Sequence, residues 1–154
     1  MLLQLFQACE QSSMAGVIRS TWLAPLFEVF HLLGLTVLVG AIVLMSLRLL
    51  GLVMTSRPVS EIAAELWGWS VFGLITQLTS GFVLFTSESV RWYNSTPFWV
   101  KMTLFFVAVV FHFTIYRKVT RRDDLAPSAY RLTAALALTL WFGIGVGGRA
   151  LTTW

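Results

Sequence analysis

The chain has 154 residues, 57% of them hydrophobic and only 12% charged. That is about half the charged share of a soluble domain, so much of the surface must face something other than water. A single cysteine, Cys9, excludes a disulfide framework and any CxxC metal or haem-attachment motif, and a net charge of +4 gives no reason to expect a nucleic-acid partner.

In chain order, "MLLQLFQACEQSSM" comes first. It lacks a basic leading region and has polar residues within its apolar stretch, so residues 1–20 are expected to be retained as a short interfacial segment. Leu2, Leu3, Leu5 and Phe6 would lie along the lipid boundary. A bilayer core of about 30 Å needs ~20 mostly apolar helical residues, and four segments meet that: 22–47, 66–86, 98–116 and 132–148. Hydrocarbon leaves open backbone groups unsatisfied, so these cross as helices. Pro25 and Pro97 sit where a helix start tolerates a missing amide, and "RRDD" at 121–124 forms a polar turn before Pro127. The expected fold is one all-α integral membrane domain over residues 1–154, four transmembrane helices in an up-down-up-down bundle.

Basic residues set the orientation. Arg48 and Arg57 lie between spans one and two. Arg117, Lys118, Arg121 and Arg122 lie between three and four, with Arg131 at the edge. The other side holds Arg19, Arg91, Lys101 and Arg149. This bias places both termini on the periplasmic side of a bacterial inner membrane. Trp22, Trp92, Tyr93 and Trp99 would mark one interface; Trp67, Trp69, Tyr116 and Tyr130 the other.

Ionisable groups inside a span usually face the bundle interior or a cavity. Glu28 and His31, three apart, are neighbours on span one. Lys101 and His112, eleven apart, are separated by about three turns of span three, with Ala108 between. The histidines differ in depth by roughly 12 Å at 1.5 Å per residue, which favours two separate sites. Haem iron takes His or Met ligands. His31 and His112 are the candidate haem or metal ligands, with Met102, Met45 and Met54 as candidate second ligands. Arg149 near His31 and Arg48 near His112 would meet propionates, and Glu28 would orient His31 or move protons.

Plainer roles compete with these. Glycines in all but span three suit close helix packing as well as a flat macrocycle. Glu28 could pair with Lys101 or Arg149, and Thr76, Gln77, Thr79 and Ser80 could hydrogen-bond the histidines or line a polar cavity. "EVFH" has the Glu-x-x-His spacing of di-iron bundles, but the other spans lack the carboxylates to complete such a site. No P-loop, G-x-S-x-G or H-E-x-x-H motif is present.

The string "STWLAPLFEVFHLLGLTVLVGAIVLMSLRLLG", with "PFWVKM" opening span three, "FH" near its end and "GR" after span four, resembles a family of small, uncharacterised bacterial inner-membrane proteins built from four helices. The resemblance covers about residues 20 to 151. It singles out Trp22, Pro25, Glu28, His31, Arg48, Leu49, Gly51, Lys101, Met102, His112 and Arg149. Such proteins often have Asp before the position of Arg48, where this chain has Ser46-Leu47. A looser similarity, in architecture alone, is to four-helix membrane b-type cytochromes, which usually supply two histidines per haem.

The first functional expectation is a haem-b-binding electron-transfer subunit, relaying electrons between quinol and a membrane or periplasmic protein partner. The second is a non-catalytic membrane assembly or anchor subunit, alone or as a homo-oligomer, whose Glu, His and Lys pack helices or bind a partner. The third is a small metal-ion carrier.

Overall fold

The structure is a computed structural model describing residues 2–150, and the side chains of all of these except residues 2, 14 and 148–150. Two short helices, α1 (Leu2–Glu10) and α2 (Ser13–Ser20), precede the first span. Ser12 separates them, accepting from the Ala15 amide as an N-cap. The spans are α3 (Leu23–Leu49), α4 (Val59–Ser87), a composite third and α8 (Pro127–Ala150). The third consists of α6 (Thr96–Phe111), a π-helical turn (His112–Tyr116) and α7 (Arg117–Thr120). A five-residue helix, α5 (Ser89–Tyr93), sits between the second and third. All four spans are long and apolar enough to cross a membrane, and the fold is an all-α membrane bundle.

The connections explain the turns. α3 ends on Gly51, whose φ of 78° suits glycine. The Gly51 amide reaches the Arg48 carbonyl and the Leu52 amide the Leu47 carbonyl, each at 3.0 Å, which satisfies the helix end. The Arg48 side chain donates to the Arg57 carbonyl at 3.2 and 2.6 Å, closing the loop it opens. Asp123 accepts from the amide and the hydroxyl of Ser60, joining the two loops of this end, called here the loop face. At the opposite, terminal face, Glu10 accepts from the Val90 amide at 2.7 Å and pairs with Arg19. Phe6 meets Phe85 and Tyr93 edge-on, with ring centroids 5.1 Å apart in both cases. Phe6 therefore turns into an aromatic cluster of the protein rather than along lipid.

α3 packs along most of α4 and also against α8, and α8 packs against α6. α4 and α6 have no Cα atoms within 8 Å of each other among the described residues; only side chains span that gap. Lipid gives helices no hydrophobic reason to associate, so close packing must do it. At Gly73 a Cβ would stand 2.7 Å from the Leu38 amide nitrogen and 2.9 Å from the Gly34 carbonyl. Gly73 thus lets the two backbones touch. Among the buried residues of α4, Ser70, Gly73, Gln77 and Ser80 form a stripe of small and polar side chains at helical spacing, with Leu74 beside it.

Candidate functional site

The α3–α4 seam positions His31. Its Nε2 lies 2.8 Å from Gln77 Nε2 and its Nδ1 3.0 Å from Ser80 Oγ. With the Gln77 amide in this orientation its nitrogen donates to Nε2, and the tautomer that matches carries its proton on Nδ1, towards Ser80. The Ser80 hydroxyl in turn donates to the Thr76 carbonyl. The ring fits because Gly81 has no side chain: a Cβ there would stand 3.0 Å from His31 Cε1. Of the four polar residues of span two, Gln77 and Ser80 meet the histidine. Thr76 and Thr79 bond carbonyls of their own helix.

Lys101, on α6, has no carboxylate partner among the described residues. Gln77 Oε1 is buried without a hydrogen-bond partner. Glu28, expected beside His31 and facing inward, is exposed and has no ion pair or hydrogen bond among the described residues. The reason is angular. Three residues turn an α-helix through 300°, leaving the pair about 60° apart on the wheel, enough for one to enter the seam while the other leaves it. Met102 is also exposed, at 42%. Arg149 lies outside the described side chains.

His112 occupies a second, separate environment near the loop face. It is 2% exposed and lies between two rings. Trp67 is stacked on it with centroids 5.5 Å apart and planes at 8°, and Tyr116 at 5.0 Å and 21°. Arg117 covers the stack, its guanidinium carbon 4.3 Å from the Trp67 ring centroid. Trp67 and Tyr116, read from sequence as interface residues, are therefore part of the interior. The π turn makes this possible. Ala108, His112, Tyr116 and Thr120 are all buried at steps of four, and four residues overshoot a regular α-helical turn by 40°. One wider turn brings the row back onto a single face. This spacing was the available sequence signal for the second environment, and it went unread.

Both His112 ring nitrogens, Tyr116 Oη, Ser46 Oγ and Trp141 Nε1 are buried with no hydrogen-bond partner among the described residues. A cavity of about 20 Å³ adjoins His112 and Tyr116, room for about one water.

His31 has both ring nitrogens engaged by Gln77 and Ser80. His112 has both free, but beside it there is space only for a water-sized guest. On α4, Trp67 and Gln77 mark the two levels, ten residues or about 15 Å apart, so the histidines do not meet at one iron. Arg48, expected beside a propionate, is spent on the loop carbonyl. No three His, Cys, Asp or Glu gather as a metal site among the described residues.

The fold and its buried polar residues define a small multi-pass membrane protein with a polar tie inside the bundle. The chain belongs to DUF6644, a family of unknown function, which matches residues 6–153. No curated protein and no solved structure matches it.

Proposed function

We propose that the chain is a non-catalytic membrane anchor or assembly subunit of the bacterial inner membrane, with its termini periplasmic and its loop face cytoplasmic. The excess of Lys and Arg on the loop face supports the orientation. The observation that carries the reading is His31, which spends both nitrogens on the neighbouring helix. A side chain so engaged ties helices together; a cofactor ligand needs a free nitrogen. Exposed Glu28 supports a protein partner, because a carboxylate within a span rarely faces lipid. A donor from the partner would cover it.

A second reading rests on Gln77 Oε1, which has no hydrogen-bond partner, and Lys101, which has no carboxylate partner, among the described residues. They favour an amphipathic ligand such as a quinone, Lys101 donating to a carbonyl and Gln77 accepting from the hydroxyl of the reduced form. One experiment addresses both. A photo-crosslinking residue is placed at Leu32, one turn from Glu28 and 61% exposed, in cells. A discrete protein adduct that disappears in Glu28→Gln supports the anchor reading. Absence of any adduct, with tryptophan quenching by a short-chain quinone that is lost in Lys101→Met, favours the second.

A further inference from the structure

Of the basic side chains away from the end of the third span, among the described residues, four are neutralised or held, whereas Lys101 and Arg131 have no ion pair. Arg19, Arg57 and Arg91 face carboxylates, and Arg48 is held by a backbone carbonyl. At the end of the third span the pattern changes. Arg117, Lys118, Arg121 and Arg122 line one open groove of about 500 Å³ together with Phe113 and Thr114, and none of the four has a carboxylate partner among the described residues. The nearest acid in sequence, Asp123, is occupied by Ser60.

The groove has two chemistries in a fixed order. On the membrane side, Phe113 is 40% exposed within a span. Beyond it come four cations within six residues. Arg117 is held in place by Trp67, so one guanidinium fork is already oriented for a phosphate. A ligand complementary to this surface is apolar below and anionic above.

We propose that the groove binds the headgroup of an anionic phospholipid. Its phosphodiester lies among Arg117, Lys118, Arg121 and Arg122, and its acyl chain runs along Phe113. Basic pockets at the ends of membrane helices recognise acidic headgroups through this charge pattern. Binding weakens as salt rises, because the outer cations are exposed.

The test is native mass spectrometry of the delipidated full chain with equal amounts of phosphatidylglycerol and phosphatidylcholine. Phosphatidylglycerol should be retained preferentially. The double variant Arg121→Gln, Arg122→Gln, altering two exposed side chains, should weaken that binding by roughly tenfold or more. Arg131→Gln, on the same face but outside the groove, should leave it unchanged. Equal retention of the two lipids overturns the proposal, as does undiminished phosphatidylglycerol binding in the double variant. Displacement of the lipid by an equal concentration of inorganic phosphate also overturns it, in favour of a free anion as ligand.

Discussion

Trp67 lies flat against His112, 5.5 Å between ring centroids and 8° between planes, and so joins the second span to the π turn of the third. α4 and α6 keep their backbones apart, and near the loop face, alongside the contact of α7 with α4, the two spans are joined by this stack. Trp67→Ala removes its large middle layer and should cost about 3–5 kcal/mol, as aromatic-to-alanine changes in packed cores do. His112→Leu should cost much less or be neutral, because it removes two buried nitrogens that no protein atom satisfies. Thermal midpoints in mild detergent would rank the two.

The His31–Gln77 pair should show measurable coupling. Intramembrane hydrogen bonds average about 0.6 kcal/mol and reach about 1.7 kcal/mol in double-mutant cycles. His31→Leu and Gln77→Leu, alone and together, should give a coupling within that range. A value of zero would mean that the ring and the amide do not act on each other.

Glycines on the two sides of α3 and α4 should respond oppositely to alanine. Gly73→Ala drives a Cβ against the Leu38 amide and the Gly34 carbonyl, and should cost about 1–3 kcal/mol. Gly40→Ala meets nothing within 4 Å and should be neutral or stabilising by up to about 1 kcal/mol through helix propensity. Unfolding in detergent mixtures distinguishes them.

The loop clasp should be pH-dependent. Hydrogen bonds from Ser60, first its hydroxyl and then its amide, hold the Asp123 carboxyl below its ordinary value of 3.8. A depressed carboxyl contributes stability that is fully present above its unfolded value and lost as pH falls through the folded one. Spin labels on the two loops should therefore separate only below about pH 4. In Asp123→Asn the distance should be flat across that range.

The spans were legible because apolar runs of membrane length allow few other outcomes. Their ends were less so. α4 begins at Val59, seven residues before the expected 66, because Glu61 and Glu65 end the apolar run without ending the helix. They ride the first turns of the helix and clasp Arg57. α5 was missed, as a five-residue helix with no apolar periodicity would be. His31 could be recognised as an inward polar residue, but not its engagement of both nitrogens, which depends on Gly81 leaving room across the seam. Glu28 was misplaced because proximity along a helix does not fix which of two neighbours enters the contact. The chamber around His112 depends on a π turn, and hydropathy carries no sign of one.

We propose that His31 ties α3 to α4 rather than ligating a haem. The most direct test is the visible absorption spectrum of detergent-purified protein from haem-replete cells, oxidised and then dithionite-reduced. The account predicts a spectrum without a Soret band, and a lower thermal midpoint in His31→Leu. A Soret band that shifts on reduction, with resolved α and β bands, and that is lost in His31→Leu would contradict it.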